Sequence, residues 1–153
     1  MPRMAISTLL YRWHRLLSLP RQPHLSWHQD RLRDELAECQ EAETPLEKLS
    51  ETSDVIFSLS RATYDGFPVG ELPPFTLRHA PAYGYMLAKF TSRWAFYWAV
   101  AFLCGAPNHY TVREVVNPTK DHKLEEVALR HHIDPEKFKR IACRLRRFWP
   151  LFP

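Results

Sequence analysis

Asp34-Glu35-Leu36-Ala37-Glu38, Thr44-Pro45-Leu46-Glu47 and Ser50-Glu51-Thr52-Ser53-Asp54 follow one another in a single stretch, and their reading decides the fold. Thr44 is a helix N-cap, Pro45 suits the first helical position, and Glu47 stands three residues after the cap, where it can close a capping box. The helix that starts there is predicted to run to about Tyr64 and to stop at Asp65-Gly66. Upstream, Ser26 is the expected N-cap of a helix over Trp27 to about Glu43, with Asp30 in its first turns. Two helices joined by so short a turn pack as an antiparallel hairpin. Leu32, Leu36 and Cys39 are the expected inner face of the first helix, and Leu46, Leu49, Ile56 and Leu59 that of the second. Glu35 and Glu38 are spaced i,i+3, so they share a face, and Glu51 and Asp54 repeat the spacing. Folding the hairpin about residues 43 and 44 sets Glu51 level with about residue 36 and Asp54 with about residue 33. All four carboxylates then fall within roughly two helical turns, at about 1.5 Å per residue.

Outward from the hairpin the pattern stays helical. Pro68, Pro73, Pro74 and Pro81 mark residues 67–81 as an extended connection. A third helix is predicted from about Ala82 to Cys104, ending at Gly105-Ala106-Pro107. It is rich in aromatics (Tyr83, Tyr85, Phe90, Trp94, Phe96, Tyr97, Trp98, Phe102), which suits a core or an oligomer interface. Two short helices follow over Leu124–His131 and Pro135–Phe148. No strand-like alternation is present. Four Gly against thirteen Pro argue against hairpin-rich β structure, whose tight turns need positive φ. The 153 residues, 45% apolar and 25% charged, can bury a core and are not those of a disordered chain. The expected fold is an all-α helical bundle built on the antiparallel hairpin, with a C-terminal helical hairpin. Its organisation reads as a basic N-terminal segment (1–24), a helical core with the carboxylates (25–110) and a basic C-terminal region (111–153).

The N-terminal segment has no acid before Asp30, and carries Arg3, Arg12, Arg15 and Arg21 among leucines. It reads either as a mitochondrial presequence or as a basic helix docked on the domain. It lacks a secretory h-region with a cleavage site. The most apolar run, Trp94–Ala106, has thirteen residues, too few to cross a bilayer. Cys39, Cys104 and Cys143 are odd in number and widely spaced, which fits a reducing compartment, cytoplasmic or mitochondrial, better than a disulfide framework.

Four carboxylates held together repel one another, and a hard divalent cation relieves that repulsion. Mg²⁺ takes oxygen ligands and shares its sphere with water and substrate phosphates. The pattern E-x-x-E, twelve residues, E-x-x-D, with Val55, Ile56, Phe57 and Leu59 after it and Trp27 before it, resembles the signature of the MazG-like all-α nucleoside triphosphate pyrophosphohydrolases. The resemblance covers about residues 25–64. It implies that Glu35, Glu38, Glu51 and Asp54 hold Mg²⁺ or Mn²⁺ and form the catalytic centre. It implies a hydrolase that splits a nucleoside triphosphate, or a related phosphorylated compound, into monophosphate and pyrophosphate. It also implies a homo-oligomer, dimer or tetramer. Lys89 and Arg93, at i,i+4, are the leading candidates to meet the phosphates, with Asn117, Lys120 and Lys123 behind them and Trp27 as a further substrate contact. The long Pro-rich insert and the aromatic third helix depart from the family pattern.

A second function class is legible at the C-terminus. Val127, Ala128, Ile133, Phe138 and Ile141 have helix-turn-helix-like spacing, although His131-His132 stands where the turn usually has Gly. The last helix carries Lys137, Lys139, Arg140, Arg144, Arg146 and Arg147, a density that favours phosphate contact. The alternative function is therefore a non-enzymatic helical protein that binds nucleic acid or a protein partner through this basic hairpin. The formal charge of +4 does not decide between the two. The scattered histidines, His122, His131 and His132 included, lack zinc spacing, Ser58, Ser60 and Cys39 have no triad-like neighbours, and no Gly-rich phosphate loop exists.

Overall fold

Prolines and helix caps divide the chain into helices. The computed structural model describes residues 2–152, with side chains from residue 5 onward, so the side chain of Arg3 lies outside the described residues. The described residues form six α-helices: α1 (Pro2–Leu17), α2 (Leu25–Glu41), α3 (Pro45–Asp65), α4 (Ala80–Leu103), α5 (Asp121–Arg130) and α6 (Pro135–Leu145). One 3-10 turn spans His109–Thr111, and the described residues contain no strand. The fold is all-α. Among the described residues no helix is long and apolar enough to cross a membrane.

The start of α3 is set by local chemistry. Thr44 Oγ1 accepts from the Glu47 backbone N–H at 3.2 Å, and the Glu47 carboxylate accepts from the Thr44 N–H at 3.1 Å. Its end is set by Gly66, at φ +92°, a left-handed conformation that costs Gly little. α2 starts earlier than expected: His24 is its N-cap, and Ser26 lies inside the first turn. The reason is tertiary. His28 is buried and its Nε2 lies 3.2 Å from the Gln22 carbonyl and 3.5 Å from the Asp65 carboxylate, so the chain is already turning at Pro23.

The chain forms two units, one ending at Ala88 and one spanning Lys89–Phe152, with the division inside α4. In the first unit α2 and α3 run in opposite directions. His28 near the start of α2 meets Asp65 at the end of α3, and Cys39 Sγ near the end of α2 lies 3.6 Å from Thr52 Oγ1 near the start of α3. α1 packs on α3, where Leu10, Trp13, Leu17, Ile56, Leu59 and Ala62 are buried. The connection between α1 and α2 is fastened to the open end of the hairpin. Arg61 Nη2 donates to the carbonyls of Leu19 (3.0 Å) and Pro20 (2.7 Å). Asp65 Oδ2 accepts from Gln22 N–H and Arg61 Nε, both at 3.1 Å. Arg21 Nε donates to the Asp65 carbonyl at 3.0 Å.

The second unit has its own apolar cluster. Phe96, Tyr97, Val100, Leu124, Val127, Phe138 and Ala142 are its buried residues, and Tyr97 stacks on Phe138 with ring centroids 6.3 Å apart. α6 begins at Asp134, whose carboxylate accepts from the Lys137 N–H at 3.0 Å, and α5 and α6 pack against each other.

Two inner-face expectations are corrected. Leu36 is 45% exposed and Leu46 53% exposed. The buried residues of α2 are instead His28 and Glu35. With polar anchors at both ends of its contact face, α2 is rotated so that Glu35, one position before Leu36, faces α3.

Two outcomes follow. Asp65→Ala leaves Arg61 and His28 buried without their carboxylate, so denaturant melts should show a loss of about 3–5 kcal/mol. His14 is buried against Ser60, with Nε2 2.8 Å from Ser60 Oγ. Burial first, and the nearby Arg61 cation second, push its imidazole down to about 3. The unfolded chain therefore binds this proton more readily, so the stability it contributes is complete above about pH 6.5 and is lost as pH falls towards 3. Between pH 6.5 and 5 the wild type should lose about 2 kcal/mol relative to His14→Gln, read from urea midpoints of the two proteins across that range.

Candidate metal centre

The carboxylates of α2 and α3 meet across the hairpin. One oxygen each from Glu35, Glu38 and Glu51 lies within 4.8 Å of the others. Local spacing explains half of this, because Glu35 and Glu38 leave α2 on the same side. The antiparallel packing of α3 supplies Glu51. Glu38 is exposed, Glu51 is half-buried and Glu35 is only 2% exposed, so the cluster runs from the solvent edge of the hairpin into its interior. Asp54, also half-buried, stands outside the close triad, yet near enough to press on the ionisation of Glu35. Glu51 Oε2 and Asp54 Oδ1 are both shielded from solvent.

Electrostatics mark Glu35 as the strained member. Burial pushes its carboxyl up to about 7. The Arg31 guanidinium opposes that push, while Asp54, Glu38 and Glu51 add to it. Arg31 stands one helical turn before Glu35 and makes an ion pair with it. Sequence reasoning overlooked Arg31, although its i,i+4 spacing from Glu35 was the available signal.

The remaining expected site residues lie as follows. Trp27 is half-exposed at the start of α2, edge-on to His28, and lines a small hollow with Arg31, Phe57, Ser58 and Arg61. Lys89 and Arg93 are buried residues of α4 in the second unit, each with its cation over the Phe90 ring (5.6 and 5.4 Å to the centroid). Asn117 is half-buried and its Oδ1 accepts from Thr119 N–H and Oγ1–H, an Asx-type turn. Lys120 is exposed at the N-cap of α5, and Lys123 pairs with Glu126 at 3.1 Å.

The donor set fits a hard divalent cation. All three groups are carboxylates, their oxygens are close enough to share one ion, and no thiolate or imidazole belongs to the cluster. The chain matches no protein-family model, no curated protein and no solved structure.

The raised carboxyl of Glu35 makes the metal-free protein sensitive to alkali. Its folded value lies above its unfolded one, so the stability it contributes is complete below about pH 4.5 and is lost as pH rises to about 7. Without divalent cation, Glu35→Gln should be more stable than wild type at pH 8, on the order of 2 kcal/mol. At pH 4.5 the advantage should vanish. Thermal melts in chelator at both pH values check it.

Proposed function

We propose that the hairpin is a divalent-cation site that hydrolyses a nucleoside triphosphate, or a related phosphorylated compound, to monophosphate and pyrophosphate. The observation that carries the reading is the convergence of Glu35, Glu38 and Glu51, with Glu35 buried at a cost its own ionisation reveals. A buried carboxylate with like charges beside it is expensive, and a bound cation would offset that expense. The E-x-x-E and E-x-x-D spacing, similar to the MazG-like signature, supports the same reading.

In this reading Glu35, Glu38 and Glu51 hold Mg²⁺ or Mn²⁺. When bound, the ion supplies positive charge for phosphate oxygens and makes a water acidic enough to act near neutral pH. Asp54, beside the triad rather than within it, orients the attacking water and accepts its proton. Arg31 keeps Glu35 partly charged before the ion arrives and is free to turn to solvent or substrate afterwards. Trp27, at the mouth of the hollow next to Arg31, offers a stacking surface for a base. A homo-oligomer is part of the proposal as the resemblance implies it.

The test is pyrophosphate release from a panel of nucleoside triphosphates with Mg²⁺ or Mn²⁺, wild type beside Glu51→Gln and Asp54→Asn. Release by the wild type should be metal-dependent, and each substitution should lower it at least about a hundredfold. Divalent cation should also raise the melting temperature of the wild type more than that of Glu51→Gln. No release and no thermal shift would overturn the proposal.

A further inference from the structure

Charge is unevenly distributed along the chain. From Lys89 onward there are twelve Lys and Arg against six Asp and Glu, a surplus of six, whereas the whole chain carries +4. The acids of this second unit are largely engaged within it. Glu114 pairs with Arg130 and His131, Asp121 with Arg146, Glu125 with Lys139 and Glu126 with Lys123. Asp134 caps α6.

These pairings sort the basic residues of α6 and the turn after it into two groups. Lys139 donates to Glu125 at 2.9 Å, and Arg146 reaches Asp121 at 3.0 Å and the carbonyls of Pro118 and Thr119 at 3.3 Å. Both are consumed inside the unit. Lys137, Arg140, Arg144 and Arg147 are exposed, and their cations make no ion pair or hydrogen bond among the described residues. Their spacing of three, four and three places them on one face, opposite the buried Phe138 and Ala142. The row extends for about 15 Å, at about 1.5 Å per residue. At its end stands Phe148, 87% exposed.

We propose that this face of α6 binds the phosphodiester backbone of a nucleic acid. An evenly spaced row of four cations, with Glu136 the one exposed acid on the same face of α6, carries a net positive charge complementary to a linear polyanion. Three of the four are Arg, whose planar fork matches phosphate oxygens in pairs. A folded protein partner would call for an apolar centre depleted in charge, and this face has none. A lipid surface would call for a continuous apolar face beside the cations, and Phe148 alone does not provide it. Phe148 instead offers a ring on which an unpaired base can stack. The face uses no residue of the hairpin, so the proposal does not rest on the carboxylates.

Fluorescence anisotropy of the full chain with a labelled 20-base-pair duplex and the matching single strand tests this. Four phosphate contacts predict roughly 150-fold weaker duplex binding when salt rises from 50 to 200 mM, and about 50-fold for the single strand. Arg140→Ala and Arg144→Ala should each lower the slope of log K against log salt by about one. Lys139→Ala, whose charge is already paired, and Glu51→Gln should leave that slope unchanged. Melting curves of each variant check that it folds, and Arg144→Lys should retain most of the slope. No binding at 50 mM salt would overturn the proposal, as would binding indifferent to Arg140 and Arg144. So would tighter, equally Arg-dependent binding to vesicles containing phosphatidylserine, which would make the face a membrane contact.

Discussion

The Arg61–Asp65 pair closes the open end of the α2–α3 hairpin, and much of the first unit depends on it. One carboxylate receives the guanidinium, a backbone N–H of the α1–α2 connection and the approach of His28. The same guanidinium holds two carbonyls of that connection. Such a network is costly to desolvate and more costly to break, because each partner removed leaves another buried alone. It therefore acts less as a source of net stability than as a device for choosing one register. The capping box at Thr44 and Glu47 does the equivalent work at the closed end. With both ends held, the middle of the hairpin has no freedom to slide, and the carboxylates there must face one another.

That constraint explains how a carboxylate comes to be buried at all. Glu35 occupies a position that a leucine would fill more cheaply. The hairpin ends keep α2 in the rotation that turns Glu35 inward and leaves Leu36 in solvent. Arg31 softens the cost without removing it, since the ionisation of Glu35 stays displaced towards the neutral form. The hairpin thus turns one carboxylate inward and brings an oxygen of each of two more within 4.8 Å of it.

The second unit handles charge differently. Four of its six acids are paired with cations of the same unit, and a row of cations on α6 is left over. Polar pairing inside the unit thus decides what the outside presents. The two charged regions are opposite in sign and independent in construction: one concentrates negative charge inside a hairpin, the other displays positive charge along a helix.

Features set by near neighbours were legible from sequence. The capping box, the stop at Gly66, the stop at Gly105 and the cap at Asp134 each involve residues within a few positions, so spacing alone identified them. The i,i+3 pairing of the carboxylates was legible for the same reason. Ser26 is not the cap, because His28 and Asp65, distant in sequence, meet at the open end of the hairpin, and Leu36 and Leu46 are exposed rather than core. Six cations near the C-terminus looked alike in sequence; four are displayed and two are consumed, according to which acids of α5 lie opposite. Sequence by itself determined the all-α class, the helix boundaries that caps and prolines control, and the faces on which charges stand. Only tertiary packing decided which carboxylate is buried and which cations remain outside, because burial and pairing depend on the surface that a second helix brings.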